Sequence, residues 1–253
     1  MGVYVTGDCH GNWDKLELYI AKNNLSKDDF IIVCGDFGIW NDPFGNEAAE
    51  LDELQEFSAN ILFVSGNHEN FDRLYSNEFE TVDFYGGKAQ KIRDNVYHLL
   101  RGHVFEFCGK KFFAFGGASS HDIKDGVLDP KDFDSWEEFR EVADEWNREM
   151  KMFRIKGISW WERELPTENE MDFGKMMLKE NENEVDFVIT HCCPQQIAAI
   201  FSHGMYKPDI LTNYFDEIME NTKFTRWYFG HYHDDRTIMG KFVMLYDSFE
   251  RVV

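Results

Sequence analysis

The chain has 253 residues, five cysteines and a formal charge of −21. This charge argues against non-specific binding to nucleic acid, because phosphate contacts need clustered lysine and arginine. The odd cysteine count, with Cys192 and Cys193 adjacent, does not suggest a disulfide framework, and no apolar run reaches the roughly 20 residues of a membrane span. We therefore expect a soluble, cytoplasmic protein of one domain, without a signal peptide or a membrane partner, and the sequence leaves its oligomeric state open.

Three segments in the first 70 residues have the same plan. The apolar runs at Val3–Thr6, 30–34 and 61–64 predict buried strands, while 13–23 and 46–58 have the spacing of helices. Strands that alternate with helices are typical of a parallel sheet, in which ligands bind at the carboxyl edge. The polar clusters that follow the three strands are Gly7-Asp8-Cys9-His10-Gly11, Gly35-Asp36 and Gly66-Asn67-His68-Glu69.

The remaining strands are predicted from shorter patterns. Residues 96–100, 104–107 and 112–115 are apolar segments separated by tight turns, and they predict an antiparallel meander. Two further strands, 186–190 and 227–230, end at polar residues, and a closing hairpin is expected around residues 239–241. The polar residues after these two strands are His191 and the segment His231-Tyr232-His233.

Residues 119–183 separate the predicted meander from the strand that ends at His191. We interpret them as an acidic, aromatic, helical insert within a single domain 1–253, because they are too long for a simple connection. Apolar residues spaced by three or four predict an amphipathic helix at about 133–153. Two interpretations are open: the insert covers core on the outer face of the protein, or its loop 120–122 and its Trp160-Trp161 pair select the substrate. The apolar stripe of the helix consists of Trp136, Phe139, Ala143, Trp146 and Met150.

The strand ends carry the residue types of a metal site. Side chains alternate along a strand, so Asp8 and His10 should converge, whereas the neighbours Asn67 and His68 diverge and only one of them should bind metal. Carboxylate and imidazole together suit Mn, Fe or Zn, and the lack of a cysteine pair at ligand spacing argues against a structural zinc site. The seven candidate ligands are Asp8, His10, Asp36, Asn67, His191, His231 and His233.

Five polar segments follow the predicted strands: the three clusters at 7–11, 35–36 and 66–69, then His191 and the segment 231–233. In their order and residue types, these five segments resemble the calcineurin-like metallophosphoesterase superfamily along the whole chain. The resemblance implies an α/β fold, a four-layer α/β/β/α sandwich of two mixed sheets flanked by helices, with two divalent or trivalent transition-metal ions. One ion would take Asp8, His10, Asp36 and His233, and the other Asp36, Asn67, His191 and His231, so that Asp36 bridges them. His68 would be the catalytic residue that protonates the leaving oxygen or stabilises the transition state.

The resemblance implies a phosphoesterase whose partner is a small phosphate-ester substrate. Segments 115–122 and 159–162 are similar to those of bacterial and phage members of unassigned substrate. Two alternatives are open: a serine/threonine phosphoprotein phosphatase and a non-catalytic scaffold that binds through the insert. The phosphatase branch has two phosphate-binding arginines where this chain has Phe37-Gly38-Ile39-Trp40 and Ser65. Candidate substrate contacts are Arg73, His121, Trp160 and Trp161.

Overall fold

A computed structural model describes residues 1–39 and 47–253, which form two mixed β-sheets packed face to face between helices. The first sheet has the strand order β15-β1-β2-β3-β6-β5-β4, and β1, β2 and β3 are parallel. Its strands are β1 (Val3–Thr6), β2 (Phe30–Val33), β3 (Asn60–Phe63), β4 (Glu80–Phe84), β5 (Gly87–Arg93), β6 (Val96–Leu99) and β15 (Phe249–Arg251).

The second sheet has the order β13-β14-β12-β11-β8-β7, in which β8, β11, β12 and β14 are parallel neighbours. Its strands are β7 (His103–Phe107), β8 (Lys110–Phe115), β11 (Phe187–Thr190), β12 (Arg226–Phe229), β13 (Arg236–Ile238) and β14 (Phe242–Met244). The closing hairpin predicted around residues 239–241 is the antiparallel pair β13 and β14. A separate two-stranded sheet consists of β9 (Gly126–Leu128) and β10 (Phe153–Ile155).

The helices lie on both outer faces of the sandwich. Helices α1 and α2 pack on the first sheet, and α5, α6 and α7 on the second. None of the helices in the described part of the chain is both long and apolar enough to cross a membrane. The helices are α1 (Asp14–Asn23), α2 (Glu47–Glu53), α3 (Phe71–Leu74), α4 (Trp136–Arg148), α5 (Glu168–Glu180), α6 (Gln195–Ser202) and α7 (Ile210–Asn221).

The alternation of side chains along the strands accounts for the layers. On β2, Ile31 and Val33 face the helical side, while Phe30 and Ile32 face the opposite sheet. All four are buried, so the strand is a continuous apolar run, as expected when both faces of a sheet are covered. The same alternation on β8 divides its phenylalanines between two apolar layers. The expected four-layer α/β/β/α sandwich of two mixed sheets is therefore confirmed.

The predicted meander is wrong at its first strand. β6 lies in the first sheet, where it pairs parallel with β3 and antiparallel with β5, and only β7 and β8 form an antiparallel pair. The prediction failed because the hairpin of β4 and β5 was not anticipated. β4 is a half-exposed edge strand with few apolar residues, so it lacks a clear period of two.

Two predicted helices are shorter than expected. The helix expected at 46–58 is α2 followed by a 3₁₀ turn at Leu54–Glu56, and residue 46 lies outside the described residues. The helix expected at 133–153 begins at Trp136, where Ser135 caps it, and ends at Arg148. Met150 has a positive φ and is exposed, and β10 follows, so the apolar stripe ends before Met150.

The insert divides into two parts with different packing. Its second part, α5, belongs to the main sandwich, since Leu178 lies in the core of the second sheet. Its first part folds on itself: Phe139 and Ala143 of α4 bury against Leu128 of β9, with Phe153 of β10 beside them. We call residues 126–155 the small lobe. The stripe of α4 thus covers the small lobe and not the outer face of the sandwich.

Candidate metal centre

The seven candidate ligands follow the carboxyl ends of five strands. Asp8 and His10 follow β1, Asp36 follows β2 and Asn67 follows β3 in the first sheet, while the three remaining histidines follow β11 and β12 in the second. Contacts between the two sets join the sheets: the backbone N–H of His231 donates to both carboxylate oxygens of Asp8, at 3.1 and 3.2 Å.

One group of ligand atoms comprises Asp8, His10 and His233, which lie within 4.8 Å of one another. The Nε2 atoms of the two histidines are 3.1 Å apart, and His233 Nε2 is 3.3 Å from Asp8 Oδ2. Two imidazole nitrogens and a carboxylate oxygen that converge in this way are a donor set suited to a transition-metal ion.

A second group comprises Asp8, Asp36 and His191, also within 4.8 Å. His191 Nε2 is 3.3 Å from Asp36 Oδ2 and 3.2 Å from Asn67 Oδ1. His191 Nδ1 donates to the carbonyl of Cys34 at 2.7 Å, which leaves Nε2 as the nitrogen that faces the site. Asp36 Oδ2 is also 3.8 Å from Nδ1 of His10 in the first group, and Asp8 belongs to both groups.

The electrostatics of the site favour a cation. Burial would raise the pKa of Asp36, but the surrounding imidazoles of His191, His68 and His10 lower it well below its usual range. Burial would lower the pKa of His191, yet Asp36 and Asp8 raise it to about 9. The buried carboxylates thus stabilise positive charge between them. The donor set and this charge both fit bound metal ions.

Four of the candidate ligands have left-handed backbones. Positive φ angles occur at His10 (50°), Asp36 (47°), His231 (69°) and His233 (49°). Such angles are uncommon outside glycine and cost free energy, and they persist where the surrounding structure enforces them, often at functional sites. At Asp36 the enforcement is visible, because its carbonyl accepts hydrogen bonds from the N–H groups of Cys9 and His10 at 3.0 and 2.7 Å.

Glycines make room for the ligands of the neighbouring strands. A methyl group at Gly66 would lie 1.9 Å from Asp36 Oδ1, and one at Gly230 would lie 2.0 Å from Asp8 Oδ1. Both distances are far inside van der Waals contact. Gly66 and Gly230 therefore allow the carboxylate of another block to approach the backbone.

Residues outside the predicted set orient Asn67. Its Nδ2 donates to Ser120 Oγ at 3.3 Å, and Ser120 Oγ donates to Glu164 Oε2 at 2.7 Å. Glu164 is buried and also accepts from the N–H of Ser120 and the indole N–H of Trp160, both at 3.0 Å. Burial raises the pKa of Glu164 to about 7, against the hydrogen bonds that lower it. The insert thus supplies the residues that fix Asn67 Oδ1 toward the site.

Glu69, whose role the sequence did not indicate, holds the loop after Asp36. Its buried carboxylate accepts hydrogen bonds from the backbone N–H groups of Phe37, Gly38 and Ile39 at 2.7 to 3.1 Å. Burial raises the pKa of Glu69 to about 8, and Asp36 raises it too, while the three N–H groups lower it. Its place directly after the Gly-Asn-His block is the signal that could have revealed it.

His68, the predicted catalytic residue, lies at the same site but belongs to neither ligand group. Its N–H donates to Asp36 Oδ1 at 2.8 Å, and its ring makes an edge contact with His10 at 5.5 Å between centroids. Its Nε2 lies 3.4 Å from Nη2 of Arg154, a residue of the small lobe. Burial lowers the pKa of His68; Asp36 opposes this effect and Arg154 adds to it. No motif in the sequence indicated Arg154.

The predicted substrate contacts have different surroundings. His121 Nε2 is 3.4 Å from His231 Nε2, and its ring stacks on Tyr206. Arg73 forms an ion pair with Glu78. Trp160 bonds Glu164, as described above, and is half-buried. Trp161 is buried and donates to Asp72 at 2.9 Å, so its indole is part of the packing. His121 therefore lies against a candidate ligand.

Comparisons with known proteins bear on the family. No protein of curated function shows significant sequence similarity to this chain. The structure is similar, at a TM-score of 0.43 and 15% identity, to the crystal structure of phosphopantetheinyl hydrolase from Mycobacterium tuberculosis, with 97% of this chain and 90% of that chain covered. The sequence profile of the calcineurin-like phosphoesterase family matches residues 1–235, which include all seven candidate ligands. The chain belongs to the calcineurin-like phosphoesterase family.

Proposed function

We propose that the protein is a metal-dependent phosphoesterase with a dinuclear centre, acting on a small phosphomonoester or phosphodiester. The observation that carries the proposal is the convergence of two groups of ligand atoms at the meeting edge of the two sheets. Both groups contain buried carboxylate oxygen and imidazole nitrogen, the donors of Mn, Fe and Zn sites. A scaffold without catalytic function would not need to keep these strained and sterically tight positions.

The proposed division of ligands places Asp36 between two ions. Its carboxylate lies 3.8 Å from His10 in the first group and 3.3 Å from His191 in the second, which supports a bridging role. Asn67 Oδ1 and the ring of His231 both lie beside His191, which supports their assignment to the second ion. The first ion would be held by Asp8, His10, Asp36 and His233, and the second by Asp36, Asn67, His191 and His231.

Two bound cations would neutralise phosphate charge and lower the pKa of a water molecule towards neutrality, which provides the nucleophile of ester hydrolysis. The chain itself contributes the orientation of the site and a proton. His68 lies beside His10 but is no member of either ligand group, and in this proposal its ring donates a proton to the leaving oxygen of the ester. Asp36 holds the backbone of His68 in place through the N–H hydrogen bond.

Turnover by metal-reconstituted protein tests this function. Metal-stripped protein is supplied with Mn, Ni, Fe or Zn, and hydrolysis of p-nitrophenyl phosphate and bis-p-nitrophenyl phosphate is measured. We expect hydrolysis that depends on added metal and two metal ions per chain by elemental analysis. Protein that binds two ions but hydrolyses neither ester with any metal would contradict the proposal.

A further inference from the structure

A phosphate ester needs cationic groups at the site, and most of the nearby ones have other partners. The ammonium group of Lys15 uses its three N–H bonds on the carbonyls of Gly7, Asp8 and Tyr246, at 2.6 to 3.0 Å. The buried guanidinium of Arg101 donates to the carbonyls of Gly116, Arg163 and Glu164. Both side chains therefore hold backbone segments in place through these carbonyls and are not directed at a ligand.

Arg154 differs from these two residues. It lies on β10, its side chain is 24% exposed, and its Nη2 bonds Asp122 and lies 3.4 Å from His68 Nε2. Within residues 1–39 and 47–253, both hydrogen bonds of its side chain run through Nη2. A guanidinium has five N–H groups, so those on Nε and Nη1 remain available.

The small lobe holds Arg154 in this position. On β10, Arg154 pairs in parallel register with Val127 of β9, and its neighbours Phe153 and Ile155 pack against the apolar cluster of α4. The N–H of Ile155 also donates to Ser159 Oγ at 2.9 Å. A side chain fixed by strand pairing on one side and by Asp122 on the other loses little conformational entropy when it binds a ligand.

We infer that Arg154 is a substrate-binding residue, whose guanidinium donates hydrogen bonds to oxygens of the phosphate group beside His68. A purely structural ion pair with Asp122 would favour the bidentate geometry of arginine and carboxylate, whereas here a single nitrogen is used. Asp122 neutralises part of the positive charge of Arg154. Its hydrogen bond to Nη2 also orients the guanidinium, whose Nε and Nη1 groups remain available. The inference rests on the proposed phosphoesterase function, and it gives the small lobe a role: this lobe supplies the phosphate-binding arginine that the first strand ends lack.

Binding of inorganic phosphate to manganese-loaded protein tests the inference without turnover. Isothermal calorimetry is compared for wild type, Arg154→Gln and Arg154→Lys, with Arg148→Gln on the exposed end of α4 as the matched control. We expect Arg154→Gln to weaken phosphate binding by about 10- to 100-fold, the usual effect of losing a charged hydrogen-bond partner. Arg154→Lys should lose less phosphate affinity, because lysine keeps the positive charge although it lacks the planar set of N–H donors of a guanidinium. Arg148→Gln should bind as wild type does.

The result that overturns the inference is equal phosphate affinity for wild type and both Arg154 variants, at equal manganese content and thermal stability. If Arg154→Gln does not fold, the inference is tested by the phosphate affinity of Arg154→Lys alone, with Arg148→Lys as its control. In steady-state assays the loss should fall mainly on KM, since the contact exists in the bound substrate as well as in the transition state. A wild-type protein that binds phosphate through Arg154 but hydrolyses no ester would contradict the proposed function and leave this inference supported.

Discussion

The side-chain amide of Asn67 donates to the hydroxyl of Ser120 at 3.3 Å, and this contact joins a candidate metal ligand to the insert. Because Ser120 in turn donates to the buried Glu164, the direction of each hydrogen bond in the chain is defined. The amide of Asn67 cannot rotate without losing this bond, so its oxygen stays directed at His191. Part of the candidate metal centre is therefore held in place by residues far from it in sequence.

Ser120→Ala should weaken metal binding although it removes no ligand. Loss of the hydroxyl frees the amide of Asn67, and outer-shell changes of this kind typically cost about 10- to 100-fold in metal affinity. A competition titration with Mn and a chelator measures the change, and Ser119→Ala, one residue earlier, is the matched control. Identical affinities for the two variants would show that Ser120 does not orient the ligand.

Glu164→Gln should change how stability depends on pH. The pKa of Glu164 rises from 4.5 to about 7 on folding, so its contribution to stability is complete below pH 4.5 and is lost as the pH rises through 7. This shift corresponds to at most about 3 kcal/mol. In urea unfolding between pH 5.5 and 8, the free energy of unfolding should decrease less with rising pH for Glu164→Gln than for wild type. The exposed Glu162→Gln serves as control and should follow wild type.

Asp36→Asn should be the most damaging change to metal content. Asp36 is the proposed bridging carboxylate, 3.8 Å from His10 and 3.3 Å from His191, so its loss should affect both ions. Elemental analysis of protein after desalting compares this variant with Asp83→Asn, whose side chain is 91% exposed. We expect the variant to retain less than half of the metal of wild type. Equal retention by wild type and Asp36→Asn would exclude a bridging role.

His68→Ala should keep its metal ions but lose activity. We expect kcat to fall by about 10² to 10⁴, the range for loss of a positioned acid or base. The loss should be smaller for p-nitrophenyl phosphate than for an alkyl phosphate, because a good leaving group needs less protonation. The exposed His203→Ala is the control. An equal loss with both esters would assign His68 to charge stabilisation instead of proton donation.

Trp161→Ala should affect folding more than substrate choice. Its indole is 7% exposed and donates to Asp72, and truncation of a buried tryptophan typically costs about 3 to 5 kcal/mol. Trp136 is 52% exposed, so Trp136→Ala should cost less than about 1 kcal/mol. Urea unfolding at pH 7 measures both. Equal costs would mean that Trp161 is not part of the packing.

The candidate ligands could be identified in the sequence because each follows an apolar strand within a few residues. Asp8 and His10, for example, directly follow β1 in the chain. Ser120, Glu164 and Arg154 could not be predicted in this way. Asn67 and Ser120 are 53 residues apart, Ser120 and Glu164 are 44 apart, and His68 and Arg154 are 86 apart. Their contacts exist only through tertiary packing, which a local pattern does not encode.

The small lobe has an apolar cluster of its own, around Leu128, Phe139 and Ala143, and these residues belong to none of the three larger cores. Substitutions there can change the lobe without disturbing the packing that positions Asp8 or His191. The consequence is evolutionary: mutation can remodel the part of the protein that carries Arg154 while the strand ends stay constant. Under the proposed function, new ester specificities would arise by variation within residues 126–155, at little cost to the strand ends that carry the candidate metal ligands.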